Sequence, residues 1–314
     1  MTADKISGFR QWVLPLALTL LAAGCRAAGT ADLGSTMEQA YPGLASFSLG
    51  QAKLSRLPQG VLLRCGKLVI KSQELESEIA RAPAEVRAQL KKNRLFLLEQ
   101  MATGRLLAEA AKKDAAESGL EIAGQDDHSL IRGLFDRLTA GLAVSDSEAA
   151  SFYRENSDAV GGAALAQVKD QIKQYLLQQK KQELVNGYVR RLGERIPIEV
   201  SASWIKAQAP LARDNEVDRA RSSGLPSMVD FGSEGCRPCD MMTPILEELK
   251  KEYAGKVNIL FVHVNKEQVL AARFGVQSIP VQVFFDKTGQ EVFRHVGFFP
   301  KDEILKQLRS MGVE

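Results

Sequence analysis

The sequence predicts a multidomain protein: a mostly α-helical domain over residues 60–204, followed by an α/β domain over 211–314 whose central mixed sheet is flanked by helices. Three observations carry this. At 314 residues the chain has room for two domains and a tether. From Ser72 to Leu192, apolar residues recur mainly at helical spacing. Beyond Asn215, short apolar runs of strand length alternate with helical patterns. Apolar and charged fractions of 45% and 25% are those of an ordinary globular chain, and a net charge of +3 is too small to argue for a nucleic-acid partner.

The first residues read as a targeting segment. Lys5 and Arg10 precede an uncharged apolar run, Trp12 to Ala23, which is short for a membrane span and suits a secretory signal over 1–24. Leu21-Ala22-Ala23-Gly24-Cys25 then brings small residues to a cysteine and resembles a bacterial lipobox, with Ala22 standing where leucine is more typical. That resemblance implies cleavage after Gly24 and diacylation of Cys25; an ordinary signal peptide and an uncleaved anchor are the alternatives. Acyl chains would hold the protein on a membrane. Arg26 in place of an aspartate favours the outer over the inner membrane of the bacterial envelope. Residues 25–59, rich in Ala, Gly, Ser and Leu with Pro42 and Pro58, read as a tether with a short helix near Met37 to Ala40.

Val61 to Ile70 predicts two short strands around a turn at Gly66. Ser72 opens a helix with Glu74 and Glu76 in its first turn. Pro83 restarts the helical pattern, and Leu90, Phe96, Leu97, Met101, Leu106 and Leu107 give a long helix to about Ser118, ended by Gly119. A further helix spans about 128–142. Ser145-Asp146-Ser147-Glu148 supplies an N-cap before Phe152-Tyr153, another long helix covers about 164–192, and Ile196 to Val200 is a closing strand. This block is similar to the amino-terminal chaperone domain of the SurA-like periplasmic foldases. The cues are the hairpin leading into Ser72-Gln73-Glu74-Leu75, the long amphipathic helix, the segment Val144-Ser145-Asp146 to Phe152-Tyr153-Arg154-Glu155-Asn156, and Val168-Lys169-Asp170-Gln171-Ile172. The resemblance implies binding of unfolded envelope proteins; a helical spacer or dimerisation module is the alternative. In that family a prolyl isomerase often follows the Phe-Tyr segment. Here Ser157 to Ala163, with a turn at Gly161-Gly162, has no room for one, so no isomerase activity is expected.

Trp204 to Pro210 reads as the link between domains, and Asn215 to Ser222 as a short helix with Val217 and Ala220 inward. The chemistry lies in Ser227 to Pro244. Met228-Val229-Asp230-Phe231 is a buried strand, Gly232-Ser233-Glu234-Gly235 a turn, and Met241, Met242, Ile245, Leu246 and Leu249 mark a helix. Cys236-Arg237-Pro238-Cys239 therefore sits where strand hands over to helix. The unpaired N–H groups and positive dipole end of a first turn favour thiolate over thiol, most for Cys236 and less for Cys239 one turn in. On that ground Cys236 attacks and Cys239 resolves the mixed disulfide. Arg237 adds positive charge, and Pro238 suits a first turn. A zinc half-site and an inert disulfide share this spacing. Zinc needs a second pair of ligands, and Cys25, Cys65, His128, His263 and His295 are scattered.

Residues from about Asn215 to Leu308 resemble a thioredoxin-family domain. Its landmarks fall in order: the strand Val229-Asp230-Phe231, the Cys-x-Pro-Cys pair, Pro244, the strand Asn258 to Val264, Gly275 to Pro280, the hairpin Val281 to Phe285 with Glu291 to His295, Gly297 and a closing helix. The resemblance implies that Pro280 is cis and faces the disulfide, shaping a groove for an extended substrate strand. It also implies that Asp230 is buried behind Cys239 and exchanges a proton with it, a task that desolvation suits by raising a carboxyl pKa. The sequence departs from the family where Gly232 and Gly235 replace flanking tryptophans, Asp240 replaces a lysine after the second cysteine, and Phe261 aligns with a lysine that often neighbours the acid.

Function follows as an expectation: a membrane-tethered protein-disulfide reductase or isomerase of the envelope. Proline directly before the second cysteine is the arrangement of reducing family members. Partners would be proteins with disulfides or unfolded envelope proteins, and a membrane thiol reductase as electron donor; no cofactor is called for. The alternative is a holdase chaperone or scaffold whose redox domain is accessory. Cys65 is left over as a redox partner, an intermolecular link or a small buried strand-end side chain.

Overall fold

The structure, a computed structural model, describes residues 33–45, 48–155 and 163–314. The signal segment, Cys25 and the turn at Gly161-Gly162 lie outside the described residues.

The helical part begins earlier than the sequence suggests. Helix α1 (Met37–Ala40) is opened by a capping box, in which Thr36 Oγ1 accepts from the Gln39 amide and Gln39 Oε1 accepts from the Thr36 amide. Strand β1 (Lys53–Ser55) follows, then the hairpin β2 (Val61–Cys65) and β3 (Leu68–Lys71). After α2 (Ser72–Arg81), α3 (Ala84–Lys92), α4 (Arg94–Glu117), α5 (Asp127–Thr139), α6 (Asp146–Glu155) and α7 (Leu165–Arg195), the chain returns in β4 (Glu199–Ser201). The sheet order is β1-β4-β2-β3, with β1 parallel to β4 and the other pairs antiparallel.

Three expectations are corrected here. The tether of 25–59 does not extend to its far end as a loose spacer, because Met37, Leu49 and Leu54 are fully buried in the first core and β1 pairs with β4. Gly193 shows how closely this stretch packs on α7: a Cβ there would lie 2.3 Å from the Ser48 carbonyl oxygen. A three-residue strand has no periodicity of its own to read; its distant partner specifies it. The long helix from Pro83 is two helices, broken where Asn93 leaves helical geometry (φ −107°, ψ 38°) and its side-chain amide donates to the Gln89 carbonyl. Finally, Trp204 to Pro210 is not a link but part of α8 (Ala202–Arg213), with Pro210 inside the helix. Ile205 is fully buried in the first core, while Ala209 and Ala212 pack on Leu44. That burial offsets the backbone hydrogen bond that proline removes.

The α/β domain runs α9 (Glu216–Arg221), β5 (Ser227–Gly232), α10 (Arg237–Glu252), β6 (Asn258–His263), α11 (Gln268–Arg273), β7 (Val281–Phe285), β8 (Glu291–Val296) and α12 (Lys301–Ser310). The mixed sheet has the order β6-β5-β7-β8, with β5 parallel to β6 and antiparallel to β7. Strand alternation divides the core. Met228 and Phe284 join Met242, Leu246, Leu249, Ile304 and Leu308 under α10 and α12. On the opposite face Val229, Phe231, Val281, Val283 and Phe285 join Val217 and Leu270 under α9 and α11.

The two parts are pinned together by charge and amide contacts. Buried Asp218 accepts from Arg273 at 2.5 and 3.1 Å and from Arg221 at 3.1 Å. Arg273 also donates to the Ala212 carbonyl at the end of α8. Arg221 reaches the Gly289 and Gly43 carbonyls. Gln89 on α3 donates to the Lys266 carbonyl and accepts from the Val269 amide, gripping the start of α11. Breaking a buried pair strands its partner's charge, and Arg273 is 2% exposed. The substitution Asp218→Ala is therefore expected to destabilise the protein by about 3–5 kcal/mol, read as a lower denaturant midpoint; an unchanged midpoint would mean the buried cluster contributes nothing to stability.

Candidate active site

The site begins with β5, every residue of which is buried. Alternation places Met228, Asp230 and Gly232 on the face beneath α10. The turn after β5 delivers Cys236 as the N-cap of α10, in extended geometry (φ −98°, ψ 103°), with Pro238 in the first turn. Cys236 is half-buried and Cys239, one turn on, is 2% exposed. The two are joined as a disulfide with their Cα atoms 5.2 Å apart. The reachable sulfur thus sits at the positive end of the helix, and the shielded one faces the sheet.

Opposite Cys236 lies the loop before β7. Its Ile279–Pro280 peptide bond is cis, and the Ile279 carbonyl oxygen is 4.0 Å from the Cys236 sulfur. The Pro280 carbonyl accepts from the Gly297 amide at 2.8 Å, tying this loop to the end of β8. Cys236, Cys239 and Pro280 are therefore brought to one place.

Asp230 is fully buried. Burial pushes its carboxyl up to about 6, against a smaller downward pull from Gln282, whose amide donates to Asp230 Oδ1 at 2.6 Å. Phe261 is the register partner of Asp230 on β6, on the side opposite Gln282. Gly232 explains how that ring fits. A Cβ at Gly232 would lie 2.9 Å from the Phe261 ring and 3.4 Å from the Cys239 sulfur. The absence of a side chain at 232 thus leaves a space flanked by the Phe261 ring and the Cys239 sulfur. Asp230 thus meets an apolar ring on one side and a neutral amide on the other.

Cys25 lies outside the described residues. Cys65 ends β2 inside the first core, 7% exposed, and burial pushes its thiol up. Two residues that bear on the site were not singled out from sequence. Gln282 interrupts the otherwise apolar run Val281 to Phe285, and a lone amide inside a buried strand is the signal that marks it. Tyr175 on α7 gave no such signal; its hydroxyl donates to the Val296 carbonyl at 3.1 Å, next to Gly297.

Comparison with known proteins places matches over this same region. Residues 213–312 match the family described as a thioredoxin-like domain. A thioredoxin of Haemophilus influenzae is 42% identical over 83 residues, 26% of this chain and 77% of that protein. A thioredoxin of Staphylococcus saprophyticus is 43% identical over 97 residues, 31% of this chain and 91% of that protein. A solved mutant thioredoxin from Halobacterium salinarum is 28% identical, covering 31% of this chain and 82% of its own, with a TM-score of 0.29.

The Asp230 geometry carries a stability consequence with a definite sign. A carboxyl raised in the folded state binds its proton more tightly there than in the unfolded chain. Stability is therefore lost as pH rises from the ordinary aspartate value of 3.8 through about 6, and stays lost above. Asp230→Asn removes the titration and is expected to stabilise the oxidised protein at pH 8 by about 1–3 kcal/mol. Urea melts of both forms check this: the gain should fade toward pH 4, and a gain equal at both pH values would contradict the assignment.

Proposed function

Because the chain belongs to the thioredoxin family through its carboxy-terminal domain and is a protein-disulfide oxidoreductase, we propose that it works as a lipid-anchored disulfide reductase or isomerase of the bacterial envelope, with a client-binding arm. One observation carries the redox half: a half-buried Cys236 at a helix N-terminus, bonded to a shielded Cys239 whose neighbouring strand holds buried Asp230. In the reduced protein the Cys236 thiolate attacks a substrate disulfide and one substrate thiolate leaves. Cys239 then gives its proton to Asp230 and attacks Cys236, releasing the second substrate thiolate. The oxidised pair of the structure is the end point of that reducing cycle. Renewing it takes two electrons from a dithiol donor, for which a membrane thiol reductase is the class of partner. Proline before Cys239 supports the reducing direction.

The anchor rests on the sequence around Cys25, which would hold the protein on a membrane, the outer one by virtue of Arg26. The arm rests on the resemblance of residues 60–204 to SurA-like chaperone domains. The contact of Tyr175 with Val296 favours it further, since it sets α7 beside the rim that Gly297 shares with Pro280. A client held along the helical part would lie close to Cys236.

Two variants of the full chain test these readings. Cys236→Ser is expected to abolish insulin-disulfide reduction, and Cys239→Ser to accumulate a mixed disulfide visible on a non-reducing gel. Activity retained by Cys236→Ser would defeat the redox assignment. The Cys236→Ser protein should still suppress aggregation of an unfolded outer-membrane protein; if it does not, the helical part is a spacer. In cells, Cys25→Ser is expected to move the protein from the membrane fraction to the soluble one.

A further inference from the structure

Gln282 is an anomaly in its strand. Val281, Val283, Phe284 and Phe285 are buried apolar residues, and Gln282 itself is fully buried. Placing an amide in such a position costs about 1–3 kcal/mol unless it is well partnered. Its side chain has one hydrogen bond, 2.6 Å from Nε2 to Asp230 Oδ1. Gln282 Oε1 and Asp230 Oδ2 are both buried and without a partner among the described residues. Leucine would fill the position without that cost, so what the amide adds is its bond to the acid.

Register sets out the surroundings. Across the sheet beneath α10 run Phe261, Asp230, Gln282 and His295 in one row. Phe261 is uncharged. His295 is held below its ordinary value by burial, hydrogen-bonded through Nε2 to the Phe298 carbonyl at 3.1 Å and stacked on Phe299 at 4.2 Å, so it stands neutral near pH 7. From α10 come Cys239 and, pointing to solvent, Arg237 and Asp240; His263 on β6 lies across from Gly232. The influences on Asp230 are burial and the Gln282 amide, with no charge contributing among the described residues.

We propose that Gln282 is a positioning residue for thiol–disulfide exchange: its amide holds the Asp230 carboxyl in both protonation states, so that Asp230 can take the proton of Cys239 and return it. This rests on the redox function proposed above. The reason lies in the amide's two faces. Its N–H donates to an ionised carboxylate, as in the structure. After rotation its Oε1 accepts from the protonated acid. A cationic neighbour can serve the ionised form alone. In the forward step the Cys239 S–H proton passes to Asp230, and the Cys239 thiolate attacks the Cys236 sulfur. The Cys236–Cys239 bond forms as the bond from Cys236 to the substrate breaks, and the electron pair leaves on the substrate thiolate, which is protonated from solvent. In reverse, a donor thiolate attacks Cys236, Cys239 leaves as thiolate, and Asp230 returns the proton.

The test compares the wild type with Gln282→Leu and Gln282→Asn, each as the full chain. The first readout needs no turnover: carbon-13 NMR titration of the Asp230 carboxyl in the oxidised protein. Gln282→Leu should move its midpoint to higher pH by about one unit, because the N–H bond to the charged carboxylate, the stronger of the amide's two modes, is lost. The second is the pH profile of the resolving step in single-turnover reduction of a peptide disulfide. Gln282→Leu should resolve about twofold more slowly at pH 7, the deficit growing to about 10-fold at pH 5, well below both midpoints, and vanishing by pH 9. Initial attack by Cys236 should be unchanged, and Gln282→Asn should restore part of the loss. An Asp230 titration identical in wild type and Gln282→Leu overturns the proposal, as does a loss equal at every pH. A wild type that reduces no disulfide would instead defeat the functional reading, and the titration would still decide the role of Gln282.

Discussion

A carboxyl group sealed beneath the first turn of α10 is the constraint on which the rest of the site depends. Asp230 has no exposure, and burial pushes its carboxyl up to about 6, close to neutrality. Full desolvation by itself would keep it protonated, and a cation beside it would keep it ionised. The structure takes neither course. It sets Phe261 on one side and the Gln282 amide on the other, and leaves position 232 without a side chain between the Phe261 ring and the Cys239 sulfur. The cost is stability: a strand interior carrying an acid and an amide is less favourable than an apolar one. Sites that exchange protons commonly carry such a penalty.

The same constraint explains the asymmetry of the two cysteines. A nucleophile must be reachable, and Cys236, as N-cap of α10, is half-buried where the helix offers unpaired N–H groups. In the cycle proposed above, a resolving thiol is better kept from solvent until a mixed disulfide forms, and Cys239 faces the sheet beside Gly232. One helical turn therefore separates an electrostatic environment from an apolar one.

Much of this site was legible in the sequence because its signals are local. Cys236 and Cys239 declare themselves by spacing, the strand before them by an apolar run, and Pro280 and Asp230 by their order relative to that pair. Gln282 was missed because its significance is created by register: nothing near it in sequence says that it faces Asp230, 52 residues away. The helical part shows the same division. Its helices follow from periodicity, whereas β1 exists because β4 returns beside it, and α8 stays helical through Pro210 because Ile205, Ala209 and Ala212 have apolar partners elsewhere. Local chemistry marks caps, turns and nucleophiles; pairings across long loops belong to tertiary packing.

Those long-range pairings have a functional reach. Arg273 and Arg221, each paired with Asp218 inside the α/β domain, reach the Ala212 and Gly43 carbonyls, and Gln89 holds the start of α11; these contacts fix the α/β domain against the helices and tolerate little sliding, since buried charges and amides must keep their partners. A flexible linker would let the redox centre sample many positions relative to the helical part; a helical α8 does not. With the parts held, Tyr175 meets the Val296 carbonyl, the adjacent Gly297 amide meets Pro280, and the preceding Ile279 carbonyl lies 4.0 Å from the Cys236 sulfur. Three short backbone-mediated steps connect α7 to Cys236. If the helical part binds clients, its placement limits which of their disulfides can reach Cys236, so specificity would come from geometry imposed by the arm as much as from the groove at Pro280.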